Sequence, residues 1–200
     1  MDASLTSRFR QPSSPVSLCL LVGFIAIFWL SWNPAAATAQ SWSADDGYVA
    51  FVSRAPLLEF KGTSRHLNGR INPDNGEVDF YVDLATLDTG NRRRDRDMRQ
   101  VYLETEKYPF AEFFGILTSD FDPAVPGEQE VEVQGEFTMR EISRPLSLSG
   151  TMERTPDGIR VRASWEILLG DYNIDRPRVV FYELSDVQRV SIDVTLRQQD

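Results

Sequence analysis

The stretch LDTGNRRRDRDMRQ, residues 87–100, concentrates the residues best placed to do chemistry. Asp88-Thr89-Gly90 ends an apolar-polar run, as the catalytic loop of an aspartic protease does. ILLGDYN at 167–173 has the apolar-apolar-glycine pattern that braces such a loop. One copy per chain would suffice in a dimer, where two carboxylates share a proton. The next residues oppose that use. Asn91, Arg92, Arg93 and Arg94 stand where a packed dimer seam needs small and apolar chain. Their guanidinium groups would lower both carboxylate pKa values and remove the neutral acid. As a strand end followed by a turn glycine the triplet needs no catalysis. A hydrolase, in particular a dimeric aspartic protease, is kept as the alternative reading.

Other chemistries fail on inventory. His66 is the only histidine and Cys19 the only cysteine. A two-histidine metal site cannot form within one chain, and a Ser-His-Asp triad would have to use His66. No glycine-rich phosphate loop is present. The expectation is therefore no enzyme, no metal and no cofactor. The formal charge of −9 argues against nucleic acid or an anionic membrane as partner through the overall field.

The elements that would position these residues begin after an N-terminal leader. Arg8 and Arg10 precede the apolar run VSLCLLVGFIAIFWLSW at 16–32, and PAAATA at 34–39 supplies small residues. That order predicts a signal peptide over 1–39 cut after Ala39, and an exported, periplasmic or secreted chain without stable membrane insertion. An uncleaved anchor is the alternative, since the run is borderline for a bilayer core of about 30 Å. Residues 40–46 read as a short extension, and 47–197 as one domain. The mature chain would contain no cysteine, so burial alone must hold it together.

Period-two alternation dominates that domain. Val78, Phe80, Val82 and Leu84 share a face, as do Val131, Val133, Phe137 and Met139. Ile159, Val161, Ala163, Trp165, Ile167 and Leu169 repeat the device, and Val190, Ile192, Val194 and Leu196 close it. Weaker strands are predicted at 48–54, 57–62, 66–72, 110–117 and 145–152. NPDNG, DPAVPG and TPDG mark turns between strands. Such strands keep one face dry and one wet, as in a closed antiparallel barrel or a sandwich. In residues 92–105 the spacing of Met98, Val101 and Tyr102, with the Asp95/Arg99 pair, predicts one short helix instead.

Residues 87–113 resemble the signature of the YceI-like family of exported polyisoprenoid-binding proteins. Thr89-Gly90, Arg94-Asp95, Tyr108-Pro109 and Phe113 match its order, and GEFTMREISRPLSLSG at 135–150 is similar to its downstream hairpin. Asp97 departs from a histidine that the family usually carries there. The resemblance implies a mainly β, antiparallel lipocalin-like barrel with one short helix, and an apolar tunnel for a long-chain isoprenoid or quinone-like lipid. Candidate tunnel residues are Phe80, Val82, Leu84, Phe113, Val133, Phe137, Leu148, Trp165, Ile167, Ile192 and Val194. The bland reading is that they simply fill a core. Arg93 and Arg96 are candidate head-group contacts. Thr89, Gly90, Arg94, Asp95, Tyr108 and Pro109 form the structural motif, with Arg94 expected to pair Asp95 or a strand carboxylate. The oligomeric state stays open, a homodimer included.

Overall fold

The structure, a computed structural model, describes residues 41–56, 58–179 and 182–199. The expected leader over 1–39, with its choice between cleavage and anchoring, lies outside these residues. Among the described residues no helix is long and apolar enough to cross a membrane.

Eight long strands carry the alternation: β1 (Ser41–Ala55), β2 (Leu58–Asn72), β3 (Glu77–Asp83), β4 (Phe110–Leu117), β5 (Glu128–Met139), β6 (Ile142–Thr155), β7 (Gly158–Leu168) and β10 (Val187–Gln199). Two short strands, β8 (Arg178–Val179) and β9 (Tyr182–Glu183), pair only with each other. Each long strand lies antiparallel to the next, and β10 returns to pair with β1. The result is a closed up-and-down barrel, which leaves no bare edge among the eight. The lipocalin-like expectation is met.

Two strands are longer than their alternation suggests. In β1 the buried phase runs through Trp42 and then resumes one residue out of step at Gly47 and Val49, after the exposed pair Asp45-Asp46. In β2 it shifts between Ser64 and Leu67, at exposed Arg65-His66. The register slips at both places, so these are β-bulges. Each inserts a residue that flips the pattern. That is why 57–62 and 66–72 look like two strands, and why 41–46 looks like an extension although it is paired within β1. His66 is thereby an exposed bulge residue, with its amide hydrogen-bonded to Ser64 Oγ.

The two ends of the barrel differ. One end, the floor, carries the β2–β3, β4–β5 and β6–β7 connections together with the outer ends of β1 and β10. The other end carries two tight turns and two long connections, 84–109 and 169–186. The first holds the helix α1 (Arg92–Asp97), which continues as a π-helical turn over Met98–Tyr102. Asn91 caps α1, accepting the amides of Arg93 and Arg94 at 3.1 Å each. The single short helix thus falls where the spacing placed it.

Arg140 joins the two long connections. It sits in the β5–β6 turn, where it and Glu141 both adopt positive φ (51° and 61°) without a glycine. Its guanidinium is hydrogen-bonded to the Asn173 carbonyl of one connection and ion-paired with Glu104 of the other. It also stands 5.3 Å from the centre of the Tyr108 ring.

Candidate ligand cavity

The inner face of a barrel this size is either filled by side chains or left partly empty. Here an internal cavity of about 620 Å³ remains, well within the range of small-molecule sites. Its wall is apolar, with Phe51 from β1, Leu67 from β2, Phe80 from β3, Phe113 from β4, Phe137 from β5 and Trp165 from β7. Several rings approach edge-on. Phe137 lies 6.2 Å from Trp165 and 5.7 Å from Tyr172, centre to centre. The rings of Phe51 and Phe80 occupy the space where a side chain on Gly62 or Gly69 would stand.

Val133, Leu148, Trp165, Ile167 and Ile192 are only half-buried although they point inward and line the cavity. Their accessible surface faces the void. On the floor, Trp42, Ile159 and Leu196 are buried and lie outside the cavity lining, so that end is packed shut. Arg154 stacks on the outer side of this plug, 4.7 Å from the Trp42 ring.

Of the eleven tunnel residues expected from sequence, ten line the cavity, with Val194 as the exception. Val194 is 2 % exposed, yet its side chain packs against Gly47. The correction follows from depth along β10: Val190 and Ile192 reach the void, while Val194 and Leu196 belong to the floor. Phe51, Phe60, Leu169, Ile174 and Leu184 also line the cavity and were missed. Phe51 was legible in principle, sharing the phase of Val49. Leu169 was likewise in phase with Ile167, and Phe60 lies in a weakly alternating stretch of β2, while Ile174 and Leu184 lie in a connection, where alternation carries no signal.

At the mouth the lining reaches exposed Leu58, Asn91 and Arg93. The two arginines expected to meet a head group separate here. Arg93 borders the opening, with its Nε 3.9 Å from Asp97. Arg96 does not line the cavity. It points to a polar notch with Arg92, Asp95 and Arg99, 3.3 Å from Asp97.

The Thr-Gly and Arg-Asp pairs form one locked unit beside this mouth. Asp95 is 7 % exposed and accepts the Thr89 amide at 2.9 Å and the Thr89 hydroxyl at 2.5 Å. Contrary to the expectation from sequence, Arg94 makes no ion pair with Asp95 or a strand carboxylate among the described residues. It donates to Thr89 Oγ1 at 2.8 Å and to the Thr89 carbonyl at 2.7 Å. Its guanidinium also lies 4.3 Å from the centre of the Phe60 ring. Burial alone would raise the Asp95 pKa. The Thr89 hydrogen bonds and nearby Arg99 outweigh it and hold the carboxyl below its ordinary value. Pro109 accepts the Leu84 amide at 2.8 Å, which closes the base of the connection, and Gly90 supplies the positive φ of its turn.

Asp88 is accounted for by the same geometry. Its backbone exchanges two hydrogen bonds of 2.9 Å with Thr63, and its exposed carboxylate accepts the Gly90 amide at 2.6 Å. The triplet is a strand bridge and a turn, which leaves the protease alternative without support.

Residues 42–197 match the YceI-like domain. A UPF0312 protein of Photorhabdus laumondii is 30 % identical over 158 residues, covering 70 % of this chain and 79 % of its own. Another from an Enterobacter species is 27 % identical, covering 75 % and 84 %. Among solved structures, a polyisoprenoid binding domain from Saccharophagus degradans, implicated in plant cell wall breakdown, has a TM-score of 0.68 at 20 % identity, covering 80 % of this chain and 99 % of that one. Burkholderia cenocepacia BcnA follows at 0.62 and 14 % identity, covering 77 % and 96 %. At such identities the structural likeness speaks for the fold.

Proposed function

The chain belongs to the YceI-like family, and on that footing we propose that it binds one long apolar lipid, of isoprenoid type, inside the barrel. The observation that carries this reading is the apolar cavity of about 620 Å³, packed shut at the floor and reaching exposed residues at the mouth. A protein gains nothing in stability from such a void, because wall atoms facing empty space forfeit their contacts. An apolar guest restores them. The Saccharophagus neighbour, a polyisoprenoid binding domain, supports the isoprenoid class.

The role that fits is a carrier, store or scavenger of this lipid in an exported compartment, periplasmic or secreted, reached through the leader over 1–39. Tunnel contacts come from Phe80, Val82, Leu84, Phe113, Val133, Phe137, Leu148, Trp165, Ile167 and Ile192. Arg93 is the one expected head-group arginine that borders the mouth. The test is organic extraction of the purified protein followed by mass spectrometry. An isoprenoid lipid recovered near one per chain is expected. Protein free of lipid that also takes up no added polyprenyl compound would overturn the reading.

A further inference from the structure

We propose that the cavity contains a neutral hydrogen-bonding niche, built by Ser53 and Trp165 beside Gln188, that receives the uncharged oxygen of a lipid head group such as a carbonyl. The proposal rests on the lipid-binding reading and specifies the chemistry of the ligand's polar end.

Two donors inside the apolar cavity have no hydrogen-bond partner among the described residues: Ser53 Oγ and Trp165 Nε1. Ser53 is 1 % exposed, and both residues line the cavity. Buried polar groups are nearly always paired, so two orphans in one wall point to a partner that the chain itself does not supply. The sheet sets both in the same sector of the wall. Ser53 of β1 stands opposite Gln188 of β10, and Trp165 of β7 stands opposite Val190, two residues farther along the same strand. Ser53 and Trp165 thus sit on the two strands that flank β10, and both face the cavity near its mouth end.

The surroundings say which group fits. An indole N–H can only donate, and a serine hydroxyl can donate, so the partner must accept. No cation belongs to the niche. The lining arginines are committed elsewhere: Arg94 to Thr89, Arg93 beside Asp97 at the mouth, and Arg162 to Glu128. An anionic head would lose its water and find no countercharge. Neutral carbonyl oxygens satisfy such donors at little desolvation cost.

The roof is fixed to the same spot. The connection 169–186 contributes Leu169, Ile174 and Leu184 to the lining. Its Ser185 amide donates to the Arg54 carbonyl, next to Ser53, and its Ser185 carbonyl accepts from Gln188 Nε2 at 2.7 Å. The niche is thus held under an apolar lid segment, near the mouth end and away from the floor.

The experiment compares three probes on the full chain: a tetraprenyl methyl ketone, a hydrocarbon of matching length and a tetraprenyl monophosphate. The proteins are wild type, Ser53→Ala and Trp165→Phe. Wild type should bind the ketone about five- to tenfold tighter than the hydrocarbon, the worth of one or two net hydrogen bonds. Each variant should lose that preference, its affinity for the ketone falling to its own affinity for the hydrocarbon. Ligand-free Ser53→Ala should unfold at no lower denaturant midpoint, because it deletes a dry, unpaired hydroxyl. Equal affinity of wild type for ketone and hydrocarbon overturns the niche, as does a preference that survives in both variants or monophosphate bound tighter than ketone. A clear loss of stability in Ser53→Ala also overturns it, by revealing a structural partner. Binding of none of the three probes overturns the lipid-binding reading itself, and the niche with it.

Discussion

Replacing Leu148 or Ile192 with tryptophan should narrow the cavity without unfolding the barrel. Both side chains point inward from half-buried positions on β6 and β10. The change adds about six heavy atoms, mostly ring carbons that add about a third of the roughly 30 Å³ share of a water molecule each, or on the order of 60 Å³ in all. That is about a tenth of the 620 Å³ cavity for one substitution, and about a fifth for the pair, which sit two strands apart. A packed core answers an added ring with a loss of about 1–3 kcal/mol. A wall facing a void should answer with less than about 1 kcal/mol, because the ring gains contacts where none existed. Denaturant unfolding measures the first quantity, and solvent extraction with mass spectrometry measures retained lipid. Near-wild-type stability with most of the bound lipid lost from the double variant is the expected result. Wild-type lipid content in the double variant would refute the siting, and a loss of about 2 kcal/mol or more per ring would refute the void.

Asp95→Ala strands the Thr89 amide and hydroxyl, and should cost about 2–5 kcal/mol in urea unfolding, with Asp95→Asn costing less. Because the folded Asp95 pKa lies below its unfolded value, its contribution is complete above about pH 4 and fades as pH falls through the folded value. The wild type should therefore lose more stability than Asp95→Asn on acidification, as read by pH-dependent denaturation. Arg140→Ala releases both long connections at once and should raise amide hydrogen exchange in 103–109 and 169–174, while the strands far from the mouth stay protected. Sequencing of exported protein should begin Gln-Ser-Trp at Gln40, and retention of the leader in the membrane fraction would favour the anchor instead.

Alternation reveals strands wherever one residue in two stays dry, as in β3, β7 and β10. It also gives most of the cavity wall, because inward phase is the same for a filled and an empty barrel. It fails at Asp45-Asp46 and Arg65-His66, where a bulge reverses the phase and hides the continuity of β1 and β2. Depth is invisible to it as well. Val194 and Ile192 share one face, yet one belongs to the floor and the other to the void. Ser53 and Gln188 are illegible for a different reason: polar types in an alternating strand are read as its wet side. Only the closed sheet shows that both point inward. The Arg94-Asp95 pair was legible as a motif, but its grip on Thr89 depends on a turn geometry that spacing alone does not give.

Pairing of the first strand with the last has a consequence for how the molecule comes into being. Every other seam of the barrel joins consecutive long strands, five of them across short turns or loops and two across the long connections. The β1–β10 seam joins Ser41 to Gln199 and must wait for the final strand to be synthesised. Until then the nascent chain shows two unsatisfied strand edges and an unsealed apolar face. Closing a loop of that length carries a large entropic cost, so folding should be slow and end-dependent. A barrel that cannot close before β10 appears is one that stays threadable while it is being made.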